Sequence, residues 1–284
     1  MAIVVRKIGL AVAISPTAVA LLKVAARLSL SLKAELVLVH IGRQTSAEKE
    51  QLEKQLQEAN LAGISHKLIW REGSVVSEIL DVCHNQSIDL LIAGALKKEN
   101  LLQTYIGSVA RQIMRKANCS VLMVQNPTAA EQSIQNVVVN AEEGPHTTLA
   151  LQAACMFAQL EKASWLHIVR ELKLLGLTLA VNEQRNEEEY AEIKQELVRD
   201  EIEQVEKMLA RIPHEGLKVN IKMLSGKSGF ELARFAERKK AELLVVSAPR
   251  ERLMLLDRLF PHDLEYIFGN LPCNLLVVKS RKHE

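Results

Sequence analysis

Aromatic residues make up only 4% of the 284-residue chain, too few to build the stacking platforms on which single-stranded nucleic acids are bound. Charge of one sign is missing too. The 36 basic and 34 acidic residues leave a formal net charge of +2, so no strong basic field marks a nucleic-acid face. No uninterrupted apolar run is long enough to span a bilayer. The opening MAIVVRKIGLAVAISP is apolar but broken by Arg6 and Lys7, and no small-residue cleavage site follows. It reads as a first strand rather than a signal peptide, and the expected location is cytoplasmic. Cysteine is sparse. Cys83, Cys119, Cys155 and Cys273 form no C-x-x-C pair and stand near no histidines at zinc spacing. Each lies in an apolar segment and reads as a small buried hydrophobe. Gly-x-Ser-x-Gly, H-E-x-x-H and Walker A patterns are absent. His146, His167, His214 and His262 are scattered without a partner, so the reading is of a protein that is not an enzyme.

What is present is an apolar fraction of 48% with 25% charged residues, the make-up of a soluble globular protein with room for two domains. The chain repeats itself. Gly73-Ser74-Val75-Val76-Ser77-Glu78-Ile79-Leu80 returns as Gly226-Lys227-Ser228-Gly229-Phe230-Glu231-Leu232-Ala233, and Asp89-Leu90-Leu91-Ile92 as Glu242-Leu243-Leu244-Val245, both about 153 residues on. Cys119-Ser120-Val121-Leu122 returns as Cys273-Asn274-Leu275-Leu276. Nearer the start the offset is smaller, which places an insertion of about 24 residues between Arg170 and Leu217 in the second copy. The polar junction Asn126–Ser133 divides the copies into 1–126 and 133–284.

Each copy alternates strand and helix patterns. In the first, Ile8–Ile14 reads as a strand buried on both faces, and Ser15-Pro16 as an N-cap followed by proline at the first helical position. Strands follow at Leu36–Ile41, His66–Trp70, Ile88–Ala93 and Ser120–Val124, with helical periodicity between them. In the second, the strands are Asn136–Asn140, Ser164–Val169, Val219–Leu224, Glu242–Val246 and Asn274–Val278. The insertion reads as an apolar stretch, Leu174–Val181, and a long charged helix from about Asn186 to Arg211. The alternation predicts two doubly wound parallel-sheet α/β domains in tandem.

Gly94–Ser108 (GALKKENLLQTYIGS) follows the fourth strand and opens a helix, where an open α/β sheet places its ligand. Gly107 and Ser108 offer free backbone N–H groups to an anion. Arg111 and Arg115, one turn apart, read as a solvent-facing stripe.

With this loop and the repeat, the chain resembles a tandem universal stress protein over nearly all its length. Nucleotide-binding members of that family carry G-x2-G-x9-G-[ST]. Gly94, Gly107 and Ser108 fit, and Lys97 replaces the second glycine. The last strand of the first copy resembles the family's C-P-V-L-V-V, with Ser120 for proline. The family's first strand ends in an A-V-D-G-S-like run at the adenosine end of the site. Here it is Ala11-Val12-Ala13-Ile14-Ser15, so Ala13 stands where the acid is expected. His40 matches the family's residue type at the end of the second strand, near the ligand edge.

The resemblance implies flavodoxin-like (adenine nucleotide alpha hydrolase-like) domains paired as a pseudo-dimer through their last strands. It implies a stress-response or signalling protein with a partial ATP or AMP site, with Mg, or a site for another small anion, in the first domain. The Lys97 ammonium pairs with a phosphate, or its stem fills the groove that glycine keeps open, or it is simply a solvated loop residue. In the second copy Ser247-Ala248-Pro249-Arg250 and Phe260-Pro261 replace the glycines, and Pro261 lacks the N–H an anion needs. Asn140 or Glu142 remains to hold a ribose, but Glu142 repels phosphate. The alternative is a regulatory module that binds a protein partner, such as a transporter, or an apolar or lipid ligand, through the insertion and Leu253-Met254-Leu255-Leu256.

Overall fold

The structure, a computed structural model, describes residues 3–61, 63–97, 104–127, 133–144, 146–172, 187–225, 228–248 and 262–280. The apolar stretch at 174–181 and the loop at 253–256 lie outside them. The first copy runs β1 (Lys7–Ala11), α1 (Ala18–Leu32), β2 (Glu35–Ile41), α2 (Ser46–Ala59), β3 (His66–Arg71), α3 (Val75–Asn85), β4 (Leu90–Gly94), a short ribbon β5 (Leu96–Lys97) and β6 (Thr104–Tyr105), α4 (Ser108–Lys116) and β7 (Ser120–Val124). The second runs β8 (Asn136–Asn140), α5 (Thr147–Leu160), β9 (Trp165–Glu171), α6 (Glu187–Leu209), β10 (Lys218–Leu224), α7 (Ser228–Arg238), β11 (Leu243–Ser247), α8 (His262–Gly269) and β12 (Asn274–Val278).

One ten-stranded sheet carries both copies, in the order β10-β9-β8-β11-β12-β7-β4-β1-β2-β3. Within each copy the main strands are parallel and ordered third, second, first, fourth, fifth, so the doubly wound class holds and its strand order is that of a Rossmann half. The copies join where β12 runs antiparallel to β7, with Leu276 opposite Leu122. These two leucines are the same position of the repeat, so a pseudo-two-fold axis passes between them. Contacts beside the axis come in matched pairs: Gln125 N–H donates to Asn274 Oδ1 at 2.9 Å and Lys279 N–H to Ser120 Oγ at 3.2 Å. Ser120 and Asn274 occupy the place where the family motif has proline. Their side chains supply an acceptor to the seam that proline lacks.

The repeat's matching acids have a shared task. Asp89 accepts hydrogen bonds from the backbone N–H groups of Arg6 and Lys7 (2.8 and 2.9 Å), and Glu242 from those of Gln135 and Asn136 (3.1 and 2.7 Å). Each holds the entry of a first strand against the fourth. Alternating residues then bury on opposite faces. Leu36, Leu38, Leu122 and Leu276 pack under α1, α2, α5 and α6; Val37, Val39, Val121 and Val277 pack under α3, α4, α7 and α8.

One local reading changes. Ser15-Pro16-Thr17 forms a turn, Ala18 N–H reaching Ser15 O at 3.1 Å, and α1 begins at Ala18 with Thr17 at its N-cap. The cap of α2 is Thr45, whose Oγ1 accepts from Glu48 N–H at 3.2 Å, a Thr-x-x-Glu start. Of the periodic apolar residues of α6, Val205 and Leu209 are buried while Leu197 is exposed, so the helix seats its C-terminal half on the sheet. Among the described residues no helix is long and apolar enough to cross a membrane.

All four cysteines are free and buried. Burial pushes the Cys155 thiol up to about 11. At pH 8 a thiol reagent should therefore label the folded protein far more slowly than the urea-unfolded chain; rapid labelling of all four without denaturant would contradict this packing. The seam makes a second prediction. Leu276→Asp buries a carboxylate opposite Leu122 and should cost at least ~3 kcal/mol in urea unfolding.

Candidate functional site

At the switch point between β1 and β4 the chain departs to opposite sides of the sheet, leaving a crevice at the carboxyl edge. Ala13 and Ser15 leave β1 there, Gly94 ends β4, and Gly107 and Ser108 open α4. Ala13 and Ser108 are exposed, and Ser15, Gly94 and Gly107 half-buried. Gly107 is the N-cap in extended conformation (φ −67°, ψ 169°), no side chain caps the helix, and its first turn holds no acid. The first N–H groups of a helix have no intrahelical acceptor, and with the helix dipole they favour an anion. A Cβ on Gly94 would lie 3.6 Å from Leu21 Cδ2, an ordinary contact. The fold tolerates alanine at this place, so what glycine adds is open space in the crevice. Lys97 pairs with Thr104 in the β5–β6 ribbon, so strand backbone stands where the motif's second glycine would be.

His40 is brought to the same edge but beneath it. It is 5% exposed. Its Nδ1 lies 2.9 Å from Val12 O. A carbonyl only accepts, so Nδ1 carries the proton and Nε2 of the neutral ring is an acceptor. Nε2 is buried with no partner among the described residues. Trp70 packs edge-on against the ring at 4.5 Å between centroids and donates its indole N–H to Gly42 O at 2.8 Å. Glycine is required at 42, since a Cβ would stand 2.9 Å from His40 Nε2. From α2, Gln55 Nε2 donates to Ser15 O at 3.2 Å. His40 and Gln55 thus fix the turn that carries Ala13 and Ser15. Trp70 and Gln55 were not singled out by the sequence, where they look like a strand end and one more polar helix residue.

The far end of the loop is held by the other copy. Ile106 N–H donates to Phe268 O of α8 at 2.9 Å. Arg111 does not join a solvent stripe. Its side chain turns back, Nε donating to Ile106 O at 2.8 Å and Nη1 pairing with Glu265, with the guanidinium 5.8 Å from the Phe268 ring centre. Arg111 and Glu265 are 154 residues apart, the offset between the first residues of α4 and α8, so they are the same repeat position with opposite charge. That contrast is visible once the copies are aligned, but nothing in one copy alone announces it. On this register Pro261 and His262, one residue on from the Phe260-Pro261 alignment, correspond to Gly107 and Ser108.

The second copy keeps the frame and changes the contents. Val12 N–H bonds Val39 O in the first copy and Ala141 N–H bonds Val169 O in the second, which puts Arg170 where His40 stands. Arg170 is 3% exposed, its Nε 2.6 Å from Glu201 and its Nη2 3.3 Å from Gln204, both on α6. Asn140 lines a cleft there with Glu171, Leu224 and Glu231 that holds about 10 Å3, roughly one water. Glu142 is exposed. The segment that replaces the glycine loop, 249–261, lies outside the described residues.

Comparison with known proteins agrees with this architecture. The model of the universal stress protein family matches residues 5–125 and again 133–279. A universal stress protein of Methanocaldococcus jannaschii is 33% identical over 79 residues, 28% of this chain and 46% of that protein. One of Synechocystis is 25% identical over 93 residues, 33% of this chain and 60% of its own length. The chain thus spans about half the length of these curated relatives. Among solved structures, a putative universal stress protein of Pseudomonas aeruginosa superposes with a TM-score of 0.71 at 19% identity, covering 98% of this chain and 94% of that one. One of Archaeoglobus fulgidus gives 0.63 at 15% identity, with 97% and 98% covered. Both likenesses are likenesses of fold. With the family matched in both copies, the chain belongs to the universal stress protein family, as a tandem of two such domains.

Proposed function

We propose that the chain is a non-enzymatic stress-response protein that binds an adenine nucleotide, ATP or AMP, in its first domain, while its second domain is a scaffold. The observation that carries this reading is the start of α4: an uncapped, acid-free helix N-terminus at the β1–β4 switch point, reached from a glycine that the fold itself does not demand. In this reading Gly107 and Ser108 receive phosphate oxygens, Gly94 leaves room for the ligand, and Ala13 and Ser15 border the nucleoside. His40 positions the β1 exit from below. The described residues include no cluster of three metal-ligating side chains, so Mg2+ would arrive on the phosphates with its water shell rather than in a protein cage. In the second domain Arg170, buried and tied to α6, stands where His40 stands in the first.

A second reading has its own observation. A cleft of about 180 Å3 lies over the seam between α1 and α5, walled by Val24, Leu28, Leu122 and Phe157 and crossed by the Arg27–Glu161 pair at 2.5 Å. That space suits a small apolar molecule. Leu28→Trp should fill it, and displacement of a bound apolar dye by this substitution is the check.

For the nucleotide site, calorimetric titration with ATP, ADP and AMP in magnesium should give micromolar binding, roughly −8 kcal/mol. Lys97→Gly then tells whether that side chain serves the phosphates (weaker binding) or obstructs them (tighter binding). Ser108→Asp is the sharper variant. An acid at a helix start stabilises the helix by about 0.3–1 kcal/mol, yet it should abolish nucleotide binding. Absence of binding in both wild type and Lys97→Gly would refute the reading.

A further inference from the structure

We propose that Arg111 is an anion-binding residue of the first-domain loop held in reserve by Glu265, so that a phosphate-bearing ligand at Gly107 and Ser108 takes the guanidinium from Glu265 and thereby alters the contact between the domains. The inference rests on the anion-site reading above and adds a residue and a mode of regulation to it.

The geometry begins with the position of Arg111 in the first turn of α4, its N–H bonded to Gly107 O at 3.0 Å. Helical side chains lean toward the N-terminus, and this one reaches past the N-cap to Ile106 O. A guanidinium is thereby placed at the positive end of a helix, where a cation is disfavoured and an anion favoured. The first turn of α4 offers no acid to balance it. The compensating charge comes instead from α8 of the other domain, as Glu265. The pair is about a quarter exposed on each side (29% and 26%), so it can exchange partners without unfolding the seam. The planar fork of arginine suits phosphate as well as carboxylate. A phosphate at the start of α4 therefore competes with Glu265 for one side chain.

The exchange has two ends. Ile106 is fully buried, and both its backbone groups are spoken for: its N–H by Phe268 O across the seam, its carbonyl by Arg111 within its own domain. A shift of Arg111 toward a ligand changes what α8 meets. Because Glu265 occupies the position equivalent to Arg111, the second domain has no matching cation there, and the device works in one direction only.

The test is calorimetric titration of ATP and, separately, inorganic tripolyphosphate into wild type, Glu265→Gln, Arg111→Gln and the double variant, with circular dichroism to show that each is folded and Arg111→Lys as the charge-preserving control. Glu265→Gln should tighten both ligands about tenfold, Arg111→Gln should weaken them about tenfold, and the double variant should match Arg111→Gln because the competitor matters only while Arg111 is present. Equal ATP affinity in all four proteins would overturn the inference and leave the nucleotide site standing. Tripolyphosphate following the Arg111 pattern, with ATP no tighter than tripolyphosphate, would sustain the inference and refute the nucleoside part of the function. No binding of either ligand to any of the four would overturn both.

Discussion

The antiparallel pairing of β7 with β12 is the contact on which the rest of the molecule depends. It turns two five-stranded sheets into one of ten strands and leaves Leu122 and Leu276 buried at its centre. It also decides which residues meet. On the axis itself residues 154 apart in sequence become neighbours, Leu122 with Leu276 and Arg111 with Glu265, so these positions bring together the two versions of one repeat site. Where both versions are apolar the result is packing. At Arg111 and Glu265 the versions differ in sign and the result is an ion pair. A single-domain protein pairing with its own copy would place like charges together there.

Much of this frame was legible in the residues. The strands of both copies are visible as short apolar runs at a regular offset, and Asp89 and Glu242 match within that repeat. Ser15-Pro16 looks like a helix start because proline is at home at the first helical position. The chain instead uses the pair to turn and begins α1 two residues later, with Thr17 as its cap. The cap of α2 is written in the sequence as Thr45-x-x-Glu48.

The site was legible in outline and opaque in detail, for a physical reason. A motif records local backbone geometry, and Gly94, Gly107 and Ser108 do gather at one crevice. What steadies that crevice comes from elsewhere in the chain: Gln55 from α2, Trp70 from β3, and Glu265 and Phe268 from the other domain. Such partners leave no signature near the motif, since their positions follow from tertiary packing. The same holds for Arg170, an ordinary strand residue in sequence and a buried cation in the structure, which α6 neutralises with Glu201.

The covalent join between the two copies, whose strands β7 and β12 pair, has a consequence for how the protein behaves at different abundances. Two separate chains that paired through such strands would come apart on dilution, and their joint properties would track expression level. Here the partner strand is tethered by the chain itself, so its effective concentration is fixed by chain geometry. Any response that runs between the halves therefore has a set point independent of how many copies the cell contains.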